Sequence, residues 1–395
     1  MLGKILVDKI ENLRFLRKRI WSLIKIKVLR QCSQDVLVKI EISSEALKAN
    51  FKELQRLAPE WGVAPVLKSN AYGHGLFIMA NWLIREKLVT PFWCVDSYFE
   101  AEKLRLHGIN ERILILGATF GNKIKHNQWD KIDYSVGEWE LLREIGDLGR
   151  TVSVQIKLDS GMNRQGFRAE MIGMLIRYLL DHPKIIVTGI FSHLAESEII
   201  NSDLTWVQIK TWNRLVVQFR ETFKTLKYWH LANSHGFLLA DKVIANVGRA
   251  GIGLYGYSED NSLINLKPAL KMFAKIVGIK PLLAGEKLGY GGSFSALTDR
   301  RVGLIPVGYY EGIDKRLSNQ GVVMINGTRA PILGRVSMNM ISVDLTNVEG
   351  VKVGGFALVL GGEGETAVIK MAHDCQTIPY EILVHLPNHL RRQLV

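Results

Sequence analysis

Short β-rich runs alternate with helical patterns from about residue 64 to residue 252. This alternation is the strongest constraint on the fold, because strands separated by helices form a parallel sheet. The eight runs are residues 64–68, 92–96, 112–117, 132–136, 152–159, 186–193, 228–233 and 246–257. Eight is the number that closes a TIM-type (β/α)8 barrel of about 250 residues. An open doubly wound sheet is the alternative. Its dinucleotide-binding form carries a G-x-G-x-x-G motif directly after the first strand, and no such motif follows the first run here.

The pattern changes near residue 272, where short strands separated by Gly-rich turns replace the alternation. Segments such as RVGLIPVG and FALVLGG are typical of an all-β unit. We therefore expect a basic extension at residues 1–36, an α/β barrel at residues 37–272 and a mostly-β C-terminal domain at residues 273–395. The first strand, at residues 37–43, is expected to join the C-terminal domain.

Positive charge is concentrated at the N-terminus of the chain. Residues 1–30 hold nine Lys or Arg and two acidic residues, so a net +7 of the total +13 lies there. The remaining +6 is too modest for a nucleic-acid-binding surface. Apolar residues recur at spacings of three and four and predict an amphipathic helix, namely Leu6, Ile10, Leu13, Leu16, Ile20 and Ile24. Packing on the body or on a second subunit is the favoured interpretation, and contact with an acidic membrane surface is the other.

The N-terminal segment predicts neither export nor membrane insertion. Charges interrupt it every few residues, which leaves no apolar run of the length that a signal peptide or a membrane span needs. The cysteines are Cys32, Cys94 and Cys375, an odd number without metal-ligand spacing. We therefore expect structural thiols, no metal site and a reducing, cytoplasmic compartment.

Polar and small residues follow the predicted barrel strands. They include Lys68 with the segment NAYGHG, then Asp159 to Arg164, His193, Asn233-Ser234 and Gly248 to Gly251. In a barrel these positions share one rim, where active sites are built. A lysine with a near-neutral amine can form a Schiff base, and backbone N–H groups at a turn can hold a phosphate.

The segment PVLKSNAYGHG resembles the cofactor-lysine motif of alanine racemases, which are pyridoxal-phosphate enzymes with a barrel and a C-terminal β domain. Eight further segments follow in the family's order, namely KLDSGMNRQGF, GIFSHLA, HLANSHG, GRAGIGLYGY, LGYGGSF, IPVGYYEG, GRVSMN and IPYEIL. The resemblance covers about residues 37–391. It implies a homodimeric isomerase that interconverts L- and D-alanine with pyridoxal 5'-phosphate, for peptidoglycan supply or D-alanine catabolism.

The resemblance also implies roles for individual residues. Lys68 would hold the cofactor covalently and act as one catalytic base, and Tyr290 would be the second base, reaching in from the partner subunit. The implied cofactor-binding residues are Lys68, Tyr72, Arg164, His193, Ser234, Arg249, Gly251, Ile252 and Tyr380. The implied substrate-binding residues are Arg164, Met338 and Tyr309. Lys157 matches a lysine that is often carbamylated in the family, and an acid-paired buried lysine is the alternative.

The chemistry agrees with this set of residues. Racemisation removes the Cα proton from one face and returns one to the other, so two bases are needed. Arg249, always charged, would disfavour protonation of the ring nitrogen and so suppress transamination. One departure stands out: Ser337-Met338-Asn339 replaces the family's common Cys-Met-Asp. Asn339 removes a negative charge near the pocket, which affects either substrate affinity or the local pKa balance. Activity is expected to survive, since the two bases and the cofactor ligands are present.

Two other functions share parts of this pattern. A broad-specificity racemase or a decarboxylase has the same architecture, but decarboxylases of this fold place an acid near the ring nitrogen, where this chain has Arg249. A non-catalytic pyridoxal-phosphate carrier is a single barrel, so residues 273–395 argue against that interpretation.

Overall fold

The computed structural model describes residues 36–199, 202–258 and 264–395. The predicted N-terminal amphipathic helix and Cys32 lie outside these residues. None of the helices within them is long and apolar enough to cross a membrane.

The described chain begins with strand β1 (Val38–Ile42) and helix α1 (Ser44–Leu57). Ser43 lies between the strand and the helix. It caps the helix, because its Oγ accepts the Ala46 N–H at 3.2 Å. Leu47, Phe51 and Leu54 follow at spacings of four and three and are buried. This spacing places one apolar stripe of α1 against the core.

Eight parallel strands follow, each on or within a few residues of a predicted run. The strands are β2 (Gly62–Pro65), β3 (Trp93–Val95), β4 (Ile113–Ile115), β5 (Ile132–Val136), β6 (Val152–Lys157), β7 (Ile185–Phe191), β8 (Tyr228–His230) and β9 (Val247–Ala250). The helices between them are α2 (Leu76–Arg85), α3 (Tyr98–Leu106), α4 (Gly121–Lys125), α5 (Trp139–Asp147), α6 (Ile172–Asp181) and α7 (Asp203–Thr222).

Backbone hydrogen bonds close these strands into a barrel. Strands β3 to β8 form one parallel sheet, and β2 pairs with β9. At one seam the Leu67 N–H donates to the Cys94 carbonyl at 2.7 Å, and at the other the Arg249 N–H donates to the Ala232 carbonyl at 3.1 Å. The (β/α)8 prediction is therefore confirmed, and the open sheet is excluded.

The last predicted run, residues 246–257, is extended only as far as Ala250. The chain then forms a 3₁₀ helix over Ile252–Tyr255 and leaves it at Gly256, whose φ is +91°. A side chain at Gly256 would collide with the Lys267 carbonyl. The prediction of one long strand was wrong beyond Ala250, because a pattern of apolar residues does not indicate this glycine-dependent turn.

The C-terminal domain contains a nine-stranded sheet, to which β1 contributes, a separate two-stranded hairpin and two short α-helices. Its strands are β10 (Leu270–Lys275), β11 (Gly278–Leu282), β12 (Lys287–Leu288), β13 (Phe294–Ser295), β14 (Arg300–Ile305), β15 (Val322–Ile325), β16 (Thr328–Leu333), β17 (Ile341–Asp344), β18 (Phe356–Gly361) and β19 (Arg391–Leu394). The helices are α8 (Val368–Asp374) and α9 (Pro379–Val384). The sheet order is β11-β14-β17-β16-β15-β18-β10-β1-β19, and β12 and β13 form a separate hairpin. Strand β1 lies inside this sheet, antiparallel to β10 and parallel to β19.

The two parts of the chain meet closely at Gly73. Its φ is +78°, and a Cβ there would collide with the Leu383 carbonyl of α9. The Gly73 carbonyl accepts the Arg392 Nε–H at 2.7 Å. Both the backbone conformation and the lack of space therefore require glycine.

Gly73→Ala is expected to lower the free energy of unfolding by at least about 3 kcal/mol, because a methyl group would push α9 off the barrel. Denaturant unfolding of the purified protein measures this. Gly108→Ala is the matched control: Gly108 also has a positive φ, +86°, but among the described residues no atom lies within 4 Å of its Cβ position. The control should cost only about 1 kcal/mol, and equal losses would contradict the packing explanation.

Candidate active site

A cavity of about 840 Å³ opens at the rim where the barrel strands end. The sequence-predicted residues that line it are Lys68, Tyr72, Lys157, Arg164, His193, Ser234, Arg249, Gly251, Ile252 and Tyr380. The other three, Tyr290, Tyr309 and Met338, are not among the described residues that line it. They lie in the C-terminal domain with 71%, 47% and 55% of their surface exposed.

Lys68 is followed by a turn of unusual hand. Ser69, Asn70, Ala71 and Tyr72 all have φ between 51° and 55°, a left-handed conformation that costs roughly 1–2 kcal/mol per residue. The surroundings hold the turn in place: Glu100 Oε1 accepts the Ser69 N–H at 2.7 Å, and Asn70 Oδ1 accepts the Leu76 N–H at 2.9 Å. Such strain concentrates at functional sites, where the rest of the structure fixes it.

The Ser234 hydroxyl and the backbone turn at Gly251 form a cradle beside Tyr72. Ser234 Oγ accepts the Gly251 N–H at 3.1 Å and the Gly253 N–H at 3.0 Å, which leaves the Ser234 proton free to be donated. A Cβ at Gly251 would lie 2.9 Å from the Tyr72 hydroxyl oxygen. A side chain at position 251 would therefore fill this space. The Tyr72 and Ser234 hydroxyl groups beside the space suit a phosphate.

Arg249 is buried and held by five hydrogen-bond contacts. Nη1 contacts His230 Nδ1 at 2.6 Å and the His230 carbonyl at 3.1 Å. Nη2 contacts the Ser192 carbonyl at 2.7 Å, His193 Nδ1 at 3.0 Å and the Leu231 carbonyl at 3.1 Å. Burial lowers the Arg249 pKa to about 10, so the guanidinium stays charged at neutral pH.

A polar chain continues from Arg249 through the barrel interior. Because arginine only donates, His230 Nδ1 accepts and Nε2 carries the proton, which it donates to Gln155 Oε1 at 2.7 Å. Gln155 Nε2 then donates to Asp133 Oδ2 at 2.9 Å, and Arg112 donates to Asp133 Oδ1 at 2.7 Å. Sequence reasoning missed this chain, because its members lie on different strands that are far apart in the sequence.

The Lys157 amine has the Arg164 and Arg249 charges nearby and hydrogen-bonds the side-chain amide of Gln165. Burial, followed by the nearby Arg164 and Arg249 charges, lowers the Lys157 pKa to about 8. Its Nζ donates to Gln165 Oε1 at 2.6 Å. Within the described part of the chain, the Lys157 amine therefore hydrogen-bonds an amide oxygen rather than a carboxylate.

Three histidines at or near the site, of which His74 and His230 are buried and His193 is half-buried, are held neutral. Burial is the main cause in each case and lowers the pKa of His74 to about 4 and of His193 to about 3. It also takes the pKa of His230 well below its ordinary value. Arg249 adds to the shift for His193 and His230.

Protein stability is therefore expected to fall as the pH drops below about 6.5, the ordinary histidine pKa. Below that pH the unfolded chain takes up protons that the folded chain does not, until the folded pKa values are reached. Three such groups give a slope of up to about 4 kcal/mol per pH unit. Denaturant unfolding between pH 4 and 8 measures it. His74→Gln should reduce the slope and exposed His126→Gln should not; identical slopes for all three proteins would contradict this prediction.

Two of the three residues in the C-terminal domain lie on adjoining loops. Tyr309 begins a 3₁₀ helix, Tyr309–Glu311, and its N–H donates to the Ser337 carbonyl at 3.1 Å. The Tyr310 N–H donates to the Met338 carbonyl at 2.9 Å. Tyr290 lies on a separate turn, Tyr290–Gly292, after β12.

A parallel barrel with a lysine, a buried arginine and a phosphate cradle on one rim, joined to a β domain, defines the barrel class of pyridoxal-phosphate enzymes. The site residues fit this cofactor: an amine for its carbonyl, a Ser-Gly cradle for its phosphate and a fixed cation for its ring. The family model of the alanine racemase N-terminal domain matches residues 42–259, and that of the C-terminal domain matches residues 269–394. The chain belongs to the alanine racemase family.

Individual relatives agree with the family models. The chain is 33% identical to the alanine racemase of Syntrophobacter fumaroxidans over 87% of this chain and 93% of that one. It is 31% identical to the alanine racemase of Staphylococcus carnosus, over 89% and 93% of the two chains. Among solved structures, alanine racemase from E. faecalis superposes with a TM-score of 0.83 at 27% identity, covering 92% and 99% of the two chains. The structure from D-cycloserine-producing Streptomyces lavendulae also gives 0.83, at 26% identity and over 92% and 98%.

The family assignment fixes the general chemistry. The chain is a pyridoxal-phosphate-dependent isomerase that interconverts L- and D-alanine. The presence of a complete C-terminal β domain sets aside the single-barrel carrier, and the decarboxylase alternative is set aside by the same matches.

Proposed function

We propose that Lys68 and Tyr290 are the two bases of this reaction and that Tyr290 acts in the barrel of a partner chain. The observation that carries the proposal is the placement of ten predicted residues around one cavity while Tyr290 lies outside it, 71% exposed. A second copy of the chain in a homodimer would bring its tyrosine to the open side of the cavity. The two active sites of the dimer would then be composite.

The proposed cofactor contacts are supported by the position of these residues on the rim. Tyr72, Ser234, Gly251, Ile252 and Tyr380 would hold the phosphate, and Arg249 would face the ring nitrogen. When bound, pyridoxal phosphate supplies an electron-accepting ring that stabilises negative charge at Cα. Arg249 keeps its charge and its position, since five contacts fix it, and so disfavours a proton on the ring nitrogen.

His193 connects the arginine to the second base in this proposal. Its Nδ1 accepts from Arg249, so Nε2 carries the proton and can donate. Its low pKa keeps the ring neutral at the pH of catalysis. A neutral donor would orient the hydroxyl oxygen of a partner chain's Tyr290 without adding a competing charge.

Substrate recognition would use both domains. Arg164, on the rim, would bind the alanine carboxylate, and the backbone N–H of Met338 and the ring of Tyr309 would come from the second chain. Carbamylation of Lys157 is part of the proposal, because a lysine of pKa about 8 has the neutral amine that adds to carbon dioxide. The carbamate would put a negative charge beside Arg164. A ¹³C carbamate resonance that Lys157→Arg does not remove would refute it.

Domain boundaries and cellular role complete the proposal. We place the barrel at residues 37–272 and the β domain at residues 273–395, with β1 contributed to the latter sheet. Buried thiols at Cys94 and Cys375 suit a reducing cytoplasm, where D-alanine is made for peptidoglycan or broken down. Residues 1–30 would pack on the body of the enzyme or on a second subunit, and their deletion should leave racemisation intact.

Chiral analysis of purified enzyme tests the activity most directly. L-Alanine, L-serine, L-lysine and L-arginine are incubated separately with the pyridoxal-phosphate-loaded protein, and D-enantiomer formation is followed by chiral chromatography. We expect alanine to racemise fastest. Faster racemisation of lysine or arginine would instead identify a broad-specificity racemase.

A further inference from the structure

We propose that Glu311 and Asn339 form a positioning pair that fixes the substrate-facing loops of the C-terminal domain. This inference rests on the proposed function, in which Tyr309 and Met338 meet the substrate. Neither Glu311 nor Asn339 would touch the substrate in this role. Their effect would pass through the placement of the two loops.

The pair is defined by two hydrogen bonds to one carboxylate. Asn339 Nδ2 donates to Glu311 Oε1 at 2.8 Å, and the Gly308 N–H donates to Glu311 Oε2 at 2.8 Å. Only 8% of the Glu311 surface is exposed. A buried carboxylate needs such donors, because an unpaired one is costly to remove from water.

The same carboxylate therefore joins both loops. Its second oxygen closes the turn that carries Tyr309, while its first oxygen holds the residue next to Met338. The loops are also in direct contact, since a Cβ at Gly308 would collide with the Ser337 carbonyl. With the two backbone hydrogen bonds between the loops, at 3.1 Å and 2.9 Å, the carboxylate fixes where Tyr309 and Met338 lie relative to each other.

This geometry revises the expectation for Asn339. The sequence comparison suggested that an asparagine in place of the family's common aspartate removes a negative charge near the pocket. The structure keeps one carboxylate at this place, that of Glu311, and Asn339 supplies the hydrogen-bond donor that it needs. An aspartate at position 339 would instead bring two carboxylates within about 3 Å, which disfavours ionisation of both.

Asn339→Asp tests the pair. We expect the KM for L-alanine to rise about tenfold, with kcat changed less, because binding groups are displaced while both bases remain. Glu311→Gln in the same chain should restore KM, since the introduced amide group can donate to the introduced aspartate while its oxygen accepts the Gly308 N–H. Exposed Asn347→Asp makes the same charge change elsewhere in the domain and should leave KM unchanged.

The wild type, the three variants above and Glu311→Gln alone are unfolded in urea. Their free energies of unfolding measure the coupling of the two substitutions independently of catalysis. Restoration by the double variant in both KM and unfolding free energy supports the proposal. Additive effects in unfolding would overturn the pair, and coupling in unfolding with an unchanged KM would overturn its positioning role. A wild-type enzyme that does not racemise alanine would refute the proposed function instead, while the unfolding cycle would still test the pair.

Discussion

Lys68→Ala should abolish racemisation, with kcat/KM lower by at least about 10⁴-fold, because the substitution removes the proposed attachment point of the cofactor and one of the two proposed bases. Lys68 stands at the start of the strained left-handed turn and lines the cavity with Tyr72 and Arg249. Rate measurements in both directions, from L- and from D-alanine, check this. The visible absorbance expected for a lysine-bound cofactor should vanish as well.

The control for this prediction is Lys52→Ala, at an exposed lysine of α1. It should keep wild-type rates and absorbance. A Lys68→Ala protein that retains the absorbance band would mean that another lysine carries the cofactor, and Lys157, on the same rim, would then be the candidate.

Arg249→Lys is expected to have the second-largest effect. A lysine ammonium has three donors on a flexible stem and cannot reproduce the five contacts of the planar guanidinium. We expect a loss of roughly 10²-fold in kcat, a rise in transamination as a side reaction, and a loss of about 3 kcal/mol in unfolding free energy, since buried acceptors would be left unpaired. Stopped-time assays for pyruvate formation measure the side reaction.

Arg220→Lys is a suitable comparison, because Arg220 lies at the end of α7 over the Trp229 ring, away from the cavity. It should leave catalysis and transamination unchanged. If Arg249→Lys lowered stability without raising transamination, the arginine would be structural and the assigned role toward the ring nitrogen would be wrong.

Much of the barrel could be predicted from the sequence because its strands are short, apolar and separated by helices. The run at residues 132–136 matches β5 residue for residue. Buried parallel strands leave this imprint because both of their faces are covered. The rim residues could be predicted too, since the carboxyl ends of such strands meet at one edge.

Other features depend on three-dimensional contacts that a linear pattern does not encode. Ser69, Asn70 and Ala71 have no shared preference for a left-handed turn, which Glu100 and the packing around Gly73 impose. The His230–Gln155–Asp133 chain joins side chains from three strands. These side chains meet only because β5, β6 and β8 belong to one barrel.

The proposed completion of the site by a second chain is another feature that strand patterns do not encode. Tyr290 lies on a short turn between β12 and β13 with most of its surface exposed. By family resemblance its motif marks the proposed second base, and its position outside the cavity of its own chain is why we propose that it acts in another copy. The family motif predicts a composite dimer, and the exposed position of Tyr290 outside the cavity of its own chain supports that proposal.

Mixing two inactive variants tests this central claim most directly. Lys68→Ala and Tyr290→Phe chains are co-refolded or reassorted in equal amounts and assayed for L-alanine racemisation. We predict recovery of about a quarter of the wild-type rate, because half of the dimers are mixed and each mixed dimer contains one intact site of two. No recovery in a sample shown to contain mixed dimers would contradict a composite site and place both bases within a single chain.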